Sequence, residues 1–312
     1  MYKTHDYTKH KMKYLLLPIA IIVLGIIMYF VHGGFNFDVE FIGGIRMQVD
    51  IEGDYTSKDI ADLVKDATGL DATVQSSPAS DTVVIKLPAT DDEDGGEANK
   101  EKVLTALAEK YTIDEDAVEV QSAAASFGKE VQTKALTYTL FAILCILIYI
   151  IIRFEWRSGV MAVIALAINV LVMASVYSIT NIALNTTFIA AMLTVVGYSI
   201  NNTIVIFDRI RENQKNRKRT ETISEMTNRS ITETLGRTIN STITTLITIV
   251  LIYILGVNTI KQFALPLIIG IVIGAYTSIF IASTFWASWK ESDAQAKAQA
   301  AAERRAANKK KK

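Results

Sequence analysis

Residues 158–179 read SGVMAVIALAINVLVMASVYSI, 22 residues without one charged side chain. A run of about 18 or more mainly apolar residues spans the hydrocarbon core of a bilayer as a helix. In lipid only helices and closed barrels satisfy their backbone groups, and this run is too long and too continuous for a barrel strand. Similar blocks stand at about 14–31, 134–152, 186–207, 238–256 and 262–286. The expectation is therefore a polytopic α-helical membrane protein of six transmembrane helices. Of the 312 residues 50% are hydrophobic, and the 21% that are charged fall almost wholly between the blocks. The first block follows Lys3, Lys9, Lys11 and Lys13, as in a signal peptide, but His32 to Asn36 offers no small-x-small cleavage site. It is read as a retained anchor.

Charge sets the expected orientation. Residues 32–132 carry 22 acidic and 8 basic side chains, whereas segment 208–237 carries 8 basic against 5 acidic and the tail 290–312 carries 8 against 3. Six crossings place the basic segments, with Arg153 and Arg157, on one side, which the positive-inside rule makes cytoplasmic. The expected plan is a cytoplasmic N-terminus over 1–13 and a first span over 14–31. An extracytoplasmic domain over 32–132 follows, then a membrane domain over 133–289 with a cytoplasmic loop at 208–237. A basic cytoplasmic tail over 290–312 ends the chain, in the cytoplasmic membrane of a bacterial cell.

Within 32–132, residues 44–51 alternate as a strand and 57–67 have helical spacing with Ser57 as N-cap. Strands are expected at 72–75 and 82–87 around a Ser-Ser-Pro-Ala-Ser turn, a helix at 97–111 and a strand at 117–121. That order, βαββαβ, is the α+β ferredoxin-like pattern. Asp91 to Asp94 lacks the alternate spacing of an EF-hand and reads as a solvated loop. The single cysteine, Cys145, sits in an apolar block, and His5, His10 and His32 share no ligand spacing, so neither a metal site nor a cofactor is expected. No nucleic-acid-binding role is expected.

Three segments resemble the SecF proteins of the SecD/SecF family, within the RND superfamily. The first is Asn36 to Gly44, with Glu40-Phe41-Ile42-Gly43-Gly44, where the family usually has Asp in place of Glu40. The second runs from Val196 to Asn213, through Gly197, Tyr198, Ser199, Asn201, Asn202, Asp208, Arg209, Arg211, Glu212 and Asn213. The third is Thr234-Leu235-Gly236-Arg237-Thr238. The resemblance covers nearly the whole chain. It implies one RND-like half of six helices, paired with a SecD-like subunit and associated with the SecYEG channel. In that family the pair assists export of unfolded polypeptides, drawing on the proton-motive force. The other readings are a stand-alone RND-type exporter of small molecules or lipids, and a membrane enzyme. The blocks contain no paired acids, no His-Glu-x-x-His and no Gly-x-Ser-x-Gly, so enzymatic chemistry is not expected.

The resemblance points to a transport-helix polar site at Asn201, Asn202, Asp208 and Arg237. Physical reasoning reaches the same helices, because polar side chains at membrane depth face a partner, a cavity or an ion path. Interhelical hydrogen bonding alone, worth about 1 kcal/mol or less each, is the other use of such groups. The family's usual Asn-Asp is here Asn201-Asn202, and an amide has no proton to give or take near neutral pH. Proton coupling is therefore expected to rest on an acid of the partner subunit. Asn202 and Arg237 are expected within reach of each other, and Asp208 is read as a helix-end residue paired with Arg209, Arg211 or Arg237. Gly270 and Gly274 form a small-xxx-small pair for helix packing. Segment 208–237 is basic enough to meet anionic lipids, and Trp286, Trp289 and Lys290 look like an interfacial belt.

Overall fold

The apolar run after Lys11 and Lys13 forms helix α1, Lys11–Val31, in which many large side chains, among them Leu16, Val23, Ile27 and Phe30, are exposed. The computed structural model describes residues 5–52, 55–76, 82–89, 95–113, 118–123, 155–218 and 220–310. Between 130 and 152 it describes residues 130, 133, 134, 137, 138, 140–142, 144, 145, 148–150 and 152. The chain divides into two units. One comprises Met1–Gly34, Phe141–Asn181 and Thr187–Lys312, and the other Phe35–Leu140 and Ile182–Thr186.

In the second unit a short helix α2, Val39–Ile42, capped by Asp38, leads through Gly43 and Gly44 into strand β1, Gly44–Glu52. Both glycines have positive φ, 79° and 120°. A side chain at Gly44 would also come within 2.1 Å of the Leu87 carbonyl, so this turn requires glycine. Period-two alternation then buries Ile45, Met47, Val49 and Ile51 on one face. Helix α3, Ser57–Thr68, starts with a capping box: Thr56 Oγ1 accepts from Asp59 N at 3.2 Å, and Asp59 Oδ2 accepts from Thr56 N at 3.1 Å. The cap is thus Thr56, not the expected Ser57, because Ser57 already has helical geometry.

Strands β2, Thr73–Ser76, and β3, Thr82–Leu87, follow, then helix α4, Gly95–Lys110, and strands β4, Thr112–Ile113, and β5, Glu119–Ala123. β1 pairs antiparallel with β3 on one edge, and with β5 along residues 44–48 and β4 along residues 51–52 on the other. β2 closes the far side of β3. The two-residue β4 has no counterpart in the sequence pattern, and β5 begins later than the expected 117–121, whose first residue lies outside the described ones. The expected turn at 76–80 and the Asp91 to Asp94 loop also fall almost wholly outside them. Ile60 and Val64 of α3, with Val103 and Leu107 of α4, cover the apolar face of the sheet.

In the first unit, five helices among the described residues are long and apolar enough to cross a membrane. They are α1, α5 (Trp156–Thr180), α6 (Thr186–Lys215), α7 (Ile223–Leu255) and the run from α8 (Asn258–Thr277) through a π-helical turn (Ser278–Ala282) into α9 (Ser283–Lys310). The block at 134–152 lies partly outside the described residues, and those described between 130 and 152 are helical. The stretch expected as a loop at 208–237 is mostly helix. α6 continues to Lys215 and α7 starts at Ile223, where Thr222 and Glu225 form a second capping box. Asp208 therefore lies inside α6 rather than at its end. The charged tail likewise continues α9 as helix.

Candidate functional site

The site is built from α5, α6, α7 and α8. The one amide in the 158–179 run, Asn169, has no exposed surface. Its Nδ2 donates to Ser199 Oγ at 2.7 Å and its Oδ1 accepts from Thr277 Oγ1 at 2.6 Å. Thr203 Oγ1 and Ser278 Oγ meet at 2.8 Å, and Ser278 Oγ also donates to Gly274 O at 2.8 Å. Close approach makes this possible. A Cβ added at Gly274 would lie 3.0 Å from Ser199 Cβ, and one at Gly270 would lie 2.4 Å from Val195. This neutral network is closed, and sequence reasoning passed over its centre although a lone amide in an apolar run was a signal.

One turn along α6, Asn202 is 3% exposed and its Nδ2 has no hydrogen-bond partner among the described residues. On α7, the hydroxyls of buried Thr238 and Thr242 likewise have no partner among the described residues. Tyr198 Oη donates to Ser241 O at 3.1 Å and reaches Thr245 Oγ1 at 3.3 Å. Asn213 Nδ2 donates to Ser230 Oγ at 2.9 Å. These two contacts fix an antiparallel register that puts Asn202 level with Thr238.

Arg237 shares that level but not that face. It is exposed, as are Asn201 of α6 and Asn240 of α7, and none of the three side chains forms a hydrogen bond or ion pair among the described residues. The neighbouring hydroxyls differ. Thr244 and Thr248 close on their own helix, donating to Asn240 O at 3.0 Å and Thr244 O at 3.2 Å. At Gly197 and Gly236 no described residue lies within 4 Å of where a Cβ would stand.

The rest of the α6 motif clamps two helix ends together. Arg209 donates to Glu233 at 2.6 Å and to Glu212 at 2.7 Å, and Asn213 also donates to Glu233 at 2.8 Å. Arg229 reaches Asn213 Oδ1 at 3.3 Å and Glu221 at 3.0 Å. Asp208 pairs with Arg211 at 3.0 Å. Glu233 and Ser230 were invisible as site residues because their partners lie a helix away.

In the second unit, Glu40 Oε2 accepts from Thr186 N at 2.8 Å and from Thr186 Oγ1 at 2.6 Å. Buried Phe41 packs edge-on to Phe37 at 6.0 Å. Asp38, 1% exposed, stands 3.7 Å from both Arg46 and Lys86, and Lys86 Nζ also donates to Asn36 Oδ1 at 2.9 Å. Burial pushes the Lys86 ammonium below its usual pKa, a shift that Asp38 opposes and Arg46 reinforces. Among the described residues no group of three His, Cys, Asp or Glu side chains is placed to hold a metal ion.

The comparisons with known proteins agree with one another. The family model described as protein export membrane protein SecD/SecF, C-terminal, matches residues 102–292. The chain is 34% identical to the protein translocase subunit SecF of Desulfurispirillum indicum over 280 residues, 88% of this chain and 87% of that one. It is 32% identical to the protein translocase subunit SecDF of Bacillus subtilis over 291 residues, 91% of this chain and 38% of that one. The crystal structure of SecDF, a translocon-associated membrane protein from Thermus thermophilus, superposes with a TM-score of 0.80 at 29% identity. That match covers 93% of this chain and 39% of that one, so this chain spans about two fifths of the length of the solved SecDF.

Proposed function

Because the chain belongs to the SecD/SecF family of protein-export membrane proteins, we propose that it works as an accessory subunit of the Sec protein translocase in the cell membrane, paired with a SecD-like subunit. The observation that carries the pairing is the exposed polar set Asn201, Arg237 and Asn240 on adjacent helices. Amide and guanidinium groups left to lipid at a helix face are costly, so such a face is suited to a polar partner. Relatives such as the SecDF of Bacillus subtilis are more than twice this chain's length, which leaves room for a partner half within one polypeptide. A stand-alone exporter is not favoured by these names.

The finer parts of the reading are proposals of the same kind. Helical residues between 130 and 152 support a sixth crossing. The antiparallel order β2-β3-β1 with β4 and β5 beyond, and two helices on one face, supports a ferredoxin-like unit. The acid excess in 32–132 supports its extracytoplasmic placement, with both termini cytoplasmic. Association with SecYEG and with unfolded substrates, and a non-enzymatic role, are proposed on the same membership. Any use of the proton-motive force is proposed to rest on an acid of the partner, since Asn202 cannot titrate.

Purification of the intact complex from native membranes tests the assignment. A SecD-like subunit should co-purify in fixed ratio with this chain. A stable homotrimer without it would overturn the reading.

A further inference from the structure

All three tryptophans of the chain gather where the helices α5, α6, α7 and α9 come together. The Trp156 and Trp289 rings meet edge-on at 5.0 Å, with the Arg157 guanidinium 4.9 Å from the Trp156 centroid. Trp286 is 1% exposed and packs against Phe207. Trp286 is thus a core residue and not part of the expected interfacial belt. Trp156, exposed, and Trp289, half-buried, mark the headgroup level, where an apolar ring and a polar N–H are both accommodated.

At that level lies a cavity of about 300 Å³, at the lower end of the size range of small-ligand sites. Its charged lining is Arg157, Arg217, Lys290, Lys297 and Asp293. Asp293 pairs with Arg157, and Lys290 is held by Glu155 at 2.6 Å. Arg217 and Lys297 are exposed and have no ion-pair partner among the described residues. Two donors nearby, Trp286 Nε1 and Arg157 Nε, lack acceptors among the described residues but are buried and do not open onto the cavity. Water brings no charge to two cations without an anionic partner, whereas a group with several acceptor oxygens and a negative charge does.

We infer that this cavity is a binding site for a phosphate group, supplied by the headgroup of an anionic phospholipid. It is separate from the polar face of α6 and α7 and does not depend on the export role. Binding that failed here would leave the family membership standing. Arg217 and Lys297, with Arg157 and Lys290 lining the same cavity, supply the positive charge that holds the phosphate. Basic pockets between helix ends suit such headgroups, and the headgroup level of Trp156 and Trp289 is what favours a lipid over a free ion.

The test uses the full chain in nanodiscs of phosphatidylcholine, with or without phosphatidylglycerol, and separately with inorganic phosphate. Retained lipid is read by native mass spectrometry and phosphate binding by thermal midpoint. The wild type should retain phosphatidylglycerol over phosphatidylcholine, and R217Q/K297Q should weaken that retention roughly tenfold, as loss of charge-assisted hydrogen bonds implies. W286F, which keeps a ring and removes an N–H that does not open onto the cavity, should leave that retention unchanged. If inorganic phosphate raises the midpoint of the wild type but not of R217Q/K297Q, and phosphatidylglycerol is not selected, the phosphate site stands and the lipid source falls. If neither probe distinguishes the wild type from R217Q/K297Q, the inference is overturned.

Discussion

Glu40 holds Thr186 by two hydrogen bonds from one oxygen, 2.8 Å to its backbone N–H and 2.6 Å to its hydroxyl. Thr186 is the first residue of α6, whose first-turn amides have no helical acceptors of their own. The carboxylate therefore serves as a cap delivered from 146 residues away. Glu40→Ala should cost about 2 kcal/mol, since hydrogen bonds to a charged group are the stronger kind. Glu40→Gln keeps an acceptor oxygen and should recover most of the loss. Thermal unfolding of the three proteins in detergent distinguishes them, and equal midpoints for Ala and Gln would refute the cap.

The Lys86 ammonium titrates below 10.5 in the folded chain because burial opposes its charge. A lysine with a depressed folded pKa carries its desolvation cost while protonated. That cost is relieved as pH rises from the depressed folded value toward 10.5, where the unfolded chain still binds the proton. Stability of the sheet unit should thus gain with pH in that window relative to Lys86→Met, which has nothing to titrate. Unfolding midpoints measured against pH check this, and parallel curves would count against it.

Two glycines in the membrane helices should respond in opposite ways. A side chain at Gly270 would collide with Val195 at 2.4 Å, whereas at Gly197 it would meet none of the described residues within 4 Å. Gly270→Val should destabilise the isolated chain by about 1–3 kcal/mol, the usual range for overpacking. Gly197→Val should leave the isolated chain unchanged but weaken co-purification of the proposed SecD-like partner, because it roughens the face beside Asn201. Loss of stability in Gly197→Val would remove the partner argument.

Asn202 has no acceptor for its Nδ2 among the described residues, so its removal leaves no new orphan among them. Asn202→Leu should therefore be nearly neutral for stability. In reconstituted export, its effect should be small and the same with and without a proton-motive force. A loss confined to the force-dependent part of export would show that Asn202 does belong to the proton path.

The strands and spans were legible because their signals are local. Alternation from Gly44 to Ile51 states which side chains lie inside, and an uncharged run of 22 residues states that it spans. Boundaries set by local capping were nearly legible: Thr56 was missed by one position. The helical character of 208–215 and 223–237 was not legible, since basic composition reads equally as a loop, and what keeps these turns helical includes cross-helix pairs such as Arg209 with Glu233.

The sequence by itself determined that this chain is a membrane protein with an α+β insertion, and to which family it is similar. Transfer of apolar residues out of water is additive along the chain and needs no knowledge of neighbours. Only the tertiary structure decided that Asn202 is buried while Arg237, level with it, is exposed, and that Asn169 is bonded on both sides. Those outcomes depend on how each helix is rotated about its axis and which residue of a distant helix stands opposite. The small-xxx-small pair Gly270 and Gly274 was legible, but that its close approach is to Val195, Ser199 and Asn169 was not, because the partner residues lie on other helices.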